Sequence, residues 1–438
     1  MYILKPLKKR TILMIMLFFG FALNFLFRHA VQMALIFHGF MDVNFTSETV
    51  MEEKALVRFY YGYLFLQIPF GRLAEMFGGK TLIGYGILGA SLSSLTIPYA
   101  VKIGGYESLV VVNTFLGVFL ATFNPAVINL ASKWIPVQER GKLISSFASL
   151  SLGNVLIVVT LQIKFLTIEI LFIIPGVFGI IWCLFWYILV YDSPLTHPSI
   201  TRKERNYIVL KKESQGTIYK SIGCPWFEIG FDPNVWVVFT THTCFWIGAI
   251  FLTTRCSTYL SEAFQLNPLK DPFLMMTPFF MSFTVAFLSG FLFDFLYDLG
   301  VPLTVLQKMF TAIATFLPAI ALVGFISCQS SMSCTIFFYM IGIIFLPLAV
   351  GGYYTTFLDK SPNYAATLTA ISATLANIGL VAITGVMKNL DIGLNRQQQW
   401  ENRHSLVSAL LFTAGTIFAI FGNNKEADWN TPYEYEAV

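Results

Sequence analysis

The feature that most constrains this chain is a succession of long apolar segments separated by polar loops. A helix needs about 20 apolar residues to cross the hydrocarbon core of a bilayer. Twelve segments of the chain approach or exceed that length, and the expected fold is therefore an all-α membrane protein with twelve transmembrane helices. The segments are residues 11–37, 56–76, 81–100, 108–132, 143–164, 168–191, 234–259, 272–297, 302–326, 335–357, 364–388 and 404–421.

Composition supports the membrane class and excludes others. Charged residues make up 12% of the chain, whereas soluble domains carry about a quarter. No basic patch for nucleic acid and no GxxxxGK[ST] phosphate loop occurs, so neither nucleic-acid binding nor ATP-driven work is expected. The six cysteines form no CxxC or Cys–His cluster, so neither a metal site nor a cofactor is expected. The first apolar run, 11–37, is too long for a cleavable signal peptide.

The positions of Lys and Arg predict the orientation in the membrane. With the N-terminus inside, the inner loops and ends hold seventeen of these residues and the outer ones seven. Basic residues concentrate on the cytoplasmic side, so both termini are expected in the cytosol. The sequon that starts at Asn44 then lies outside, where it is a glycosylation site. Cys328 and Cys334 share a short outer loop, where they form either a disulfide or two free thiols.

The longest polar stretch divides the chain into two halves of six segments each. The expected domains are a first six-helix bundle at 1–191, a cytoplasmic linker at 192–231, a second bundle at 232–422 and a cytoplasmic tail at 423–438. A short amphipathic helix is expected in the linker at 202–212.

A loop motif recurs at the same place in each half. Gly71-x-x-x-Glu75 lies at the end of the second segment, and Gly290-x-x-x-Asp294 lies at the end of the eighth. The offset is 219 positions, half of 438, which indicates a duplicated six-helix unit of the kind common in transporters. Glycine allows close helix packing, and a carboxylate can accept hydrogen bonds from a facing helix N-terminus.

We therefore interpret these loops as parts of a gate that closes the inner end, the alternative being solvated turns with incidental charges. The residues expected at this gate are Gly71, Glu75, Gly78, Lys80, Arg140, Gly290 and Asp294.

The first loop, "GRLAEMFGGK", resembles the signature loop of the major facilitator superfamily, with Glu75 in place of the usual Asp. Further stretches, among them "SKWIPVQERGKL" and "YDSPLTHPSITRKERNYI", resemble the anion:cation symporter family. That family includes sialin, the vesicular glutamate transporters and the sodium-phosphate cotransporters. The resemblance implies two six-helix bundles and alternating-access transport of a small anion, without enzymatic chemistry.

Arg28 lies deep in the first segment and resembles the family's first-helix arginine, which is implicated in binding the anion. A charge at the centre of a membrane helix costs about 2.5–3.5 kcal/mol on insertion scales, so it is a functional candidate, although a purely structural arginine is the alternative. The expected substrate-binding residues are Arg28, Arg58, Tyr61, Tyr63, Asn113, His242 and Asn377. Arg58 lines an outer vestibule or lies at the interface, and the tyrosines and asparagines line the cavity or join helices.

The fourth segment departs from the family pattern. Proton-coupled members resemble it but carry an arginine in place of Asn113 and an acidic residue in place of Leu120. Coupling through sodium, His242 or the membrane potential therefore stays open, and glutamate is not favoured as the substrate. The alternative function is a transport-inactive receptor or scaffold. The compartment is either the plasma membrane or an endolysosomal membrane.

Overall fold

The computed structural model describes residues 7–38, 48–162, 169–213, 223–264, 272–328 and 331–430. Every regular element in these residues is a helix, which confirms the all-α prediction. The helices of the first half are α1 (Lys9–His38), α2 (Glu48–Phe77), α3 (Gly79–Leu120), α4 (Phe123–Trp134), α5 (Arg140–Phe147), α6 (Ser149–Gln162) and α7 (Ile170–Leu189).

The second half follows a linker that contains two short helices, α8 (Arg202–Glu213) and α9 (Trp226–Phe231). The first of these agrees with the helix expected at 202–212, while the exact domain boundaries stay a prediction. The remaining helices are α10 (Pro233–Ile250), α11 (Cys256–Phe264), α12 (Pro272–Asp298), α13 (Leu303–Ser327), α14 (Met332–Ile344), α15 (Thr356–Lys360), α16 (Ala365–Leu390) and α17 (Arg396–Phe421).

Ten stretches of the described residues are long and apolar enough to cross a membrane. One of them, 79–134, makes two passes, because the chain turns back at Gly105, which has a φ of 58°. Positive φ costs glycine little, since it has no Cβ. A Cβ at Gly86 would lie 2.8 Å from the carbonyl oxygen of Phe119, so the two passes are in close contact. With α2, the helical path makes twelve passes.

Segment ten is not the continuous helix that its apolar run predicts. The α-helix α14 ends at Ile344, and 3₁₀ turns follow at Leu346–Val350 and Tyr353–Thr355 before α15 begins. Pro347 lacks a backbone N–H to donate, and a Gly-Gly pair follows it. Irregular backbone at membrane depth is tolerated where it lines a cavity. The expected continuous helix at 335–357 is therefore wrong at its second half.

Two other passes differ from the expectation, one by an irregular turn and one by its first residue. A π-helical turn, Phe251–Arg255, joins α10 to α11, and such turns are frequent at functional sites. The last pass, α17, begins at Arg396 rather than near 404, because Asn395 and Gln398 form a reciprocal capping box. The expected start of the twelfth segment was therefore too late.

Candidate functional site

The first loop motif contacts the second half of the molecule. Glu75, near the end of α2, accepts hydrogen bonds from the backbone N–H and from the hydroxyl of Thr367, both at 2.8 Å. Thr367 lies in the first turn of α16, where N–H groups lack partners within the helix and the dipole is positive. A Cβ at Gly71 would lie 2.8 Å from that of Ala370, so glycine permits this close approach.

The second loop motif makes the converse contact. Asp294, near the end of α12, accepts a hydrogen bond from the backbone N–H of Gly141 at 2.7 Å. Gly141 lies in the first turn of α5, and a Cβ at Gly290 would lie 2.2 Å from its carbonyl oxygen. Each half therefore supplies one carboxylate and one helix N-terminus to the other half.

A buried ion pair also joins the halves, between residues that directly or closely precede the two helix N-termini. Nη1 of Arg140 donates to Oδ2 of Asp359 at 2.6 Å, and Nη2 donates to the other carboxylate oxygen. Both side chains are almost fully buried, at 5% and 8% exposure, and Gln307 also donates to the carboxylate at 2.7 Å. A bidentate pair is geometrically specific, and removing one member would leave a buried charge. These contacts of Glu75, Asp294 and Arg140 join the two halves at the predicted gate; we call them the gate for short, and their opening stays a prediction.

Gly78 and Lys80, which were also expected at the gate, make their described contacts within the first half. Gly78 has a φ of 95°, and the carboxylate of Asp192 lies where a side chain would stand. The backbone N–H of Lys80 donates to that carboxylate at 2.8 Å, and its Nζ donates to the carbonyl of Tyr187 at 3.0 Å. These contacts hold the start of α3 against the end of α7 and the residues that follow it.

The chain beyond α17 returns to the gate. Asn430 is buried, and its side-chain oxygen accepts hydrogen bonds from the Ser361 hydroxyl at 2.5 Å and from the Asn363 backbone N–H at 3.2 Å. The side chain of Asn363 donates to the backbone carbonyl of Asn430 at 2.9 Å. These residues lie between Asp359 and the first turn of α16. The terminal segment therefore supports two of the three gate contacts.

A cavity of about 200 Å³ lies between the two halves. Its lining is largely aromatic and aliphatic, with a few polar side chains from each half, as is usual for small-molecule sites. The polar and tyrosine residues are Asn24, Arg28, His29, Tyr63, Asn124, Ser151, Asn154, His242, Thr253, Ser282, Tyr353, Tyr354 and Asn377.

Arg28 projects into this cavity from α1. Its guanidinium carbon lies 5.1 Å from the ring centre of Tyr60, 5.0 Å from that of Tyr63 and 5.1 Å from that of Trp246. Nε and Nη2 are buried without a hydrogen-bond partner, and no carboxylate of the described residues forms a salt bridge with them. Aromatic faces attract a cation, but they supply no negative charge. The guanidinium is therefore neither exposed to lipid nor neutralised by a described acid.

The second half contributes an aromatic and imidazole wall. Nε1 of Trp246 donates to Oδ1 of Asn377 at 3.3 Å, which links α10 to α16. Nδ1 of His242 lies 2.9 Å from the hydroxyl of Tyr353, in the irregular part of segment ten. Trp246 is thus held in place on its own half while its ring faces Arg28 of the other half.

The structure brings together four of the seven residues expected at the substrate site, and three others lie elsewhere. Arg28, Tyr63, His242 and Asn377 line the cavity. The residues that do not line it are Arg58, which is exposed, Tyr61, which is 42% exposed, and Asn113, which is buried.

Helical spacing explains why Tyr60, and not the expected Tyr61, lies near Arg28. Residues three apart lie on the same face of a helix, so Tyr60 accompanies Tyr63 towards Arg28 while Tyr61 points away. Sequence reasoning also missed His29, Trp246 and Tyr354 as cavity residues. His29 follows Arg28 directly, and that adjacency was the available signal.

Two predictions about the outer end have different outcomes. Cys328 and Cys334 form a disulfide, which decides between the two alternatives left open by the sequence. The glycosylation sequon at Asn44 lies outside the described residues and stays a prediction.

Comparisons with known proteins agree with this architecture. A sequence profile of the Major Facilitator Superfamily matches residues 11–384. The proton:xylose symporter XylE, bound to 6-bromo-6-deoxy-D-glucose, superposes with a TM-score of 0.70 over 95% of each chain, at 12% identity. This likeness shows the fold and confirms the prediction of two six-helix bundles.

Curated relatives cover most of the chain. Sialin from Homo sapiens is 28% identical over 95% of this chain and 90% of its own length. A putative inorganic phosphate cotransporter from Drosophila ananassae is 25% identical, over 90% and 83%. Vesicular glutamate transporter 2 from Bos taurus is 26% identical, over 98% and 76%. These relatives confirm the resemblance to the anion:cation symporters.

Proposed function

Because the chain belongs to the Major Facilitator Superfamily, as its loop motifs predicted, we propose that it is a secondary transporter of a small organic or inorganic anion. The names of two relatives described above state transport of glutamate and of inorganic phosphate. Moving such a cargo requires no covalent step, so we assign the chain no enzymatic role.

The observation that carries this proposal is the state of Arg28. A cation in the interior of a membrane protein costs about 2.5–3.5 kcal/mol on insertion scales. Its Nε and Nη2 are buried without partners, and the surrounding rings compensate the charge only in part. An anionic cargo would supply the missing negative charge through paired, charge-assisted hydrogen bonds. The guanidinium is then the anchor of the cargo.

Alternating access follows from the position of the cavity and the gate. The cavity is lined by both halves, and the gate contacts join the halves at the end where α2 and α12 finish. We assign this structure to a state in which the inner end is shut. Release of the cargo would require the contacts of Glu75, Asp294 and Arg140 to break while the halves rock about the cavity.

In our proposal, segment four does not carry a coupling proton. Leu120 is buried and cannot carry a proton, and Asn113 does not line the cavity. His242 lines it and is the titratable candidate, while sodium or the membrane potential are the other drivers. Uptake measured under imposed proton, sodium and voltage gradients in turn distinguishes the three.

The protein crosses the membrane several times, and we propose that both termini are cytoplasmic. The basic residues of the loops support this orientation. The disulfide between Cys328 and Cys334 lies at the end opposite to the gate, and disulfides persist in oxidising compartments. Both the plasma membrane and an endolysosomal membrane meet that condition.

The test is anion uptake into proteoliposomes by the wild type, Arg28→Ala and Arg28→Lys. Loss of the bidentate contact should cost about 2–3 kcal/mol, which lowers uptake roughly 30- to 150-fold in Arg28→Ala. Arg28→Lys keeps the charge without the planar fork, so an intermediate rate is expected. The matched control is Arg396→Ala, because Arg396 pairs with Glu262 outside the cavity.

Two results would contradict the proposal. Equal uptake by the wild type and Arg28→Ala would remove the anchor role. The absence of uptake for every anion, by protein that remains folded, would instead support the receptor or scaffold function.

A further inference from the structure

We propose that the cargo is a monovalent organic anion with an apolar, ring-sized body, and that Trp246 is the residue that selects this body. The inference rests on the proposed transport function and concerns the same cavity. It separates this cargo from inorganic phosphate, from amino acids and from dicarboxylates.

The charge inventory of the cavity gives the first argument. Among the described residues that line it, Arg28 is the single Lys, Arg, Asp or Glu. One guanidinium can compensate one negative charge. A second negative charge on the cargo would enter a desolvated space without a partner. The ammonium group of an amino acid would likewise find no carboxylate. A cargo with exactly one negative charge fits this inventory.

The polar groups that remain are amides, hydroxyls and the imidazoles of His29 and His242, which carry no charge in their neutral forms. Asn24 and Asn154 offer amides, and Ser151 and Ser282 lie 3.0 Å apart across the two halves. Nδ1 of His29 lies 3.2 Å from the carbonyl of Phe25, so in the neutral ring Nε2 is left as an acceptor. Such groups accommodate a hydroxyl or carbonyl on the cargo, but they do not balance a second full charge.

The walls around the guanidinium give the second argument. Rings of Phe25, Tyr63, Phe245, Trp246, Phe279 and Tyr354 line the cavity. Contact with an apolar body would remove the surface of these rings from water and so favour binding, whereas a small hydrated ion such as phosphate offers no apolar surface. Aromatic rings also prefer offset or edge contacts with another ring. The lining therefore favours a carboxylate or sulfonate that carries a ring.

Trp246 lies where the apolar body of the cargo would contact its indole ring. Its ring centre lies 5.1 Å from the guanidinium carbon of Arg28, although the two residues belong to different halves. The hydrogen bond to Asn377 fixes the indole. The ring also lies nearly parallel to the imidazole of His242, with the ring centres 6.1 Å apart. An anion held by Arg28 must therefore place its next atoms against this indole. Trp246 acts on the cargo body, and Arg28 acts on its charge.

A matched series of probes tests the inference on the purified full-length protein. 3-Phenylpropionate carries one charge and one ring, phenylalanine adds an ammonium group, phenylsuccinate adds a second carboxylate, and inorganic phosphate has no apolar body. Affinities come from calorimetric titration at pH 7.5, with substrate counterflow in proteoliposomes as a second measure. We expect 3-phenylpropionate to bind at least tenfold more tightly than each of the other three.

Variants assign the roles. Trp246→Ala should weaken 3-phenylpropionate at least tenfold and leave phosphate affinity unchanged, whereas Trp246→Phe should stay within about threefold of the wild type. Retention of a monodisperse elution profile checks that Trp246→Ala folds, and the Phe variant provides the test if it does not. Arg28→Ala should weaken binding of every probe roughly 30- to 150-fold, as for uptake.

The outcomes separate the two levels of the proposal. Arg28-dependent binding and counterflow of phosphate, phenylalanine or phenylsuccinate that equals or exceeds that of 3-phenylpropionate would overturn the cargo class and leave the anion carrier standing. Equal affinities in Trp246→Ala and the wild type would overturn the role of the indole. No binding or counterflow of any anion would overturn the transport function itself.

Discussion

Removing the charge of Glu75 should open the inner end of the molecule. In Glu75→Gln, which keeps the shape of the side chain, the amide oxygen can accept from the Thr367 backbone N–H while the NH₂ group donates to the Thr367 hydroxyl, so both hydrogen bonds become neutral. The substitution also removes the ion pair of Glu75 with Arg72, which lies in the same helix. Hydrogen bonds to charged groups contribute about 1.5–3 kcal/mol and neutral ones about 0.5–1.5 kcal/mol, so two bonds lose about 2–3 kcal/mol. That change shifts the ratio of open to closed forms roughly 30- to 150-fold.

The shift is measurable as a change in distance across the gate. Phe77 and Leu299 are 64% and 65% exposed and lie at the ends of α2 and α12, one in each half. Both can carry spin labels on introduced cysteines in a background that lacks the four free cysteines. Pulsed dipolar spectroscopy then reports the two populations. An open fraction of about 1% in the wild type would rise to about a quarter or more.

Two further variants control this experiment. Glu107→Gln removes an exposed carboxylate at the start of the second pass of α3 and should leave the distance distribution unchanged. Glu75→Asp keeps the charge with a shorter reach, so its shift should be smaller than that of Glu75→Gln. If Glu75→Gln shows the wild-type distribution, or if Glu107→Gln shifts as far, the hydrogen bonds to Thr367 do not hold the gate.

The ion pair and the terminal segment give two more predictions. Arg140→Asp should destabilise the closed form by about 3–5 kcal/mol because two buried carboxylates would face each other, and adding Asp359→Arg should restore most of the closed population in the same distance assay. A double variant no better than the single one would show that the pair is not exchangeable. Asn430→Ala removes the acceptor for Ser361 and Asn363 and should lower the free energy of unfolding by about 1–3 kcal/mol in thermal unfolding, whereas Asn389→Ala, at an exposed position, should not. Equal effects of the two asparagine variants would contradict the supporting role of the terminal segment.

The involvement of Glu75 and Asp294 in contacts between the halves could be anticipated from sequence because their loop motif repeats. Glycine and a carboxylate four residues apart recur at an offset of 219, and that pattern has a physical meaning at a helix end. The partners could not be predicted in the same way. Thr367 and Gly141 contribute backbone N–H groups, which every residue except proline possesses, so no side-chain signal marks them.

The cavity was predicted less completely, for a reason specific to membrane helices. Lipid-facing and core-facing positions are both apolar, so periodicity does not tell which face of a helix points inward. The charge of Arg28 was readable from the sequence, whereas the exposure of Tyr61 outside the cavity was not. The irregular backbone that follows α14 places Tyr354 in the cavity, and the continuous apolar run of segment ten did not reveal it.

Arg140 and Asp359 are 219 positions apart, the same distance in sequence that separates Gly71 from Gly290. They are thus equivalent positions of the duplicated unit, and equivalent positions meet only on the pseudo-two-fold axis that relates the copies. In a homodimer of identical six-helix units, a residue on that axis would face itself, and a charged one would repel its twin. Joining both copies in one polypeptide lets one become cationic and the other anionic. The closed gate therefore needs two different residues at equivalent positions, which two identical halves could not supply.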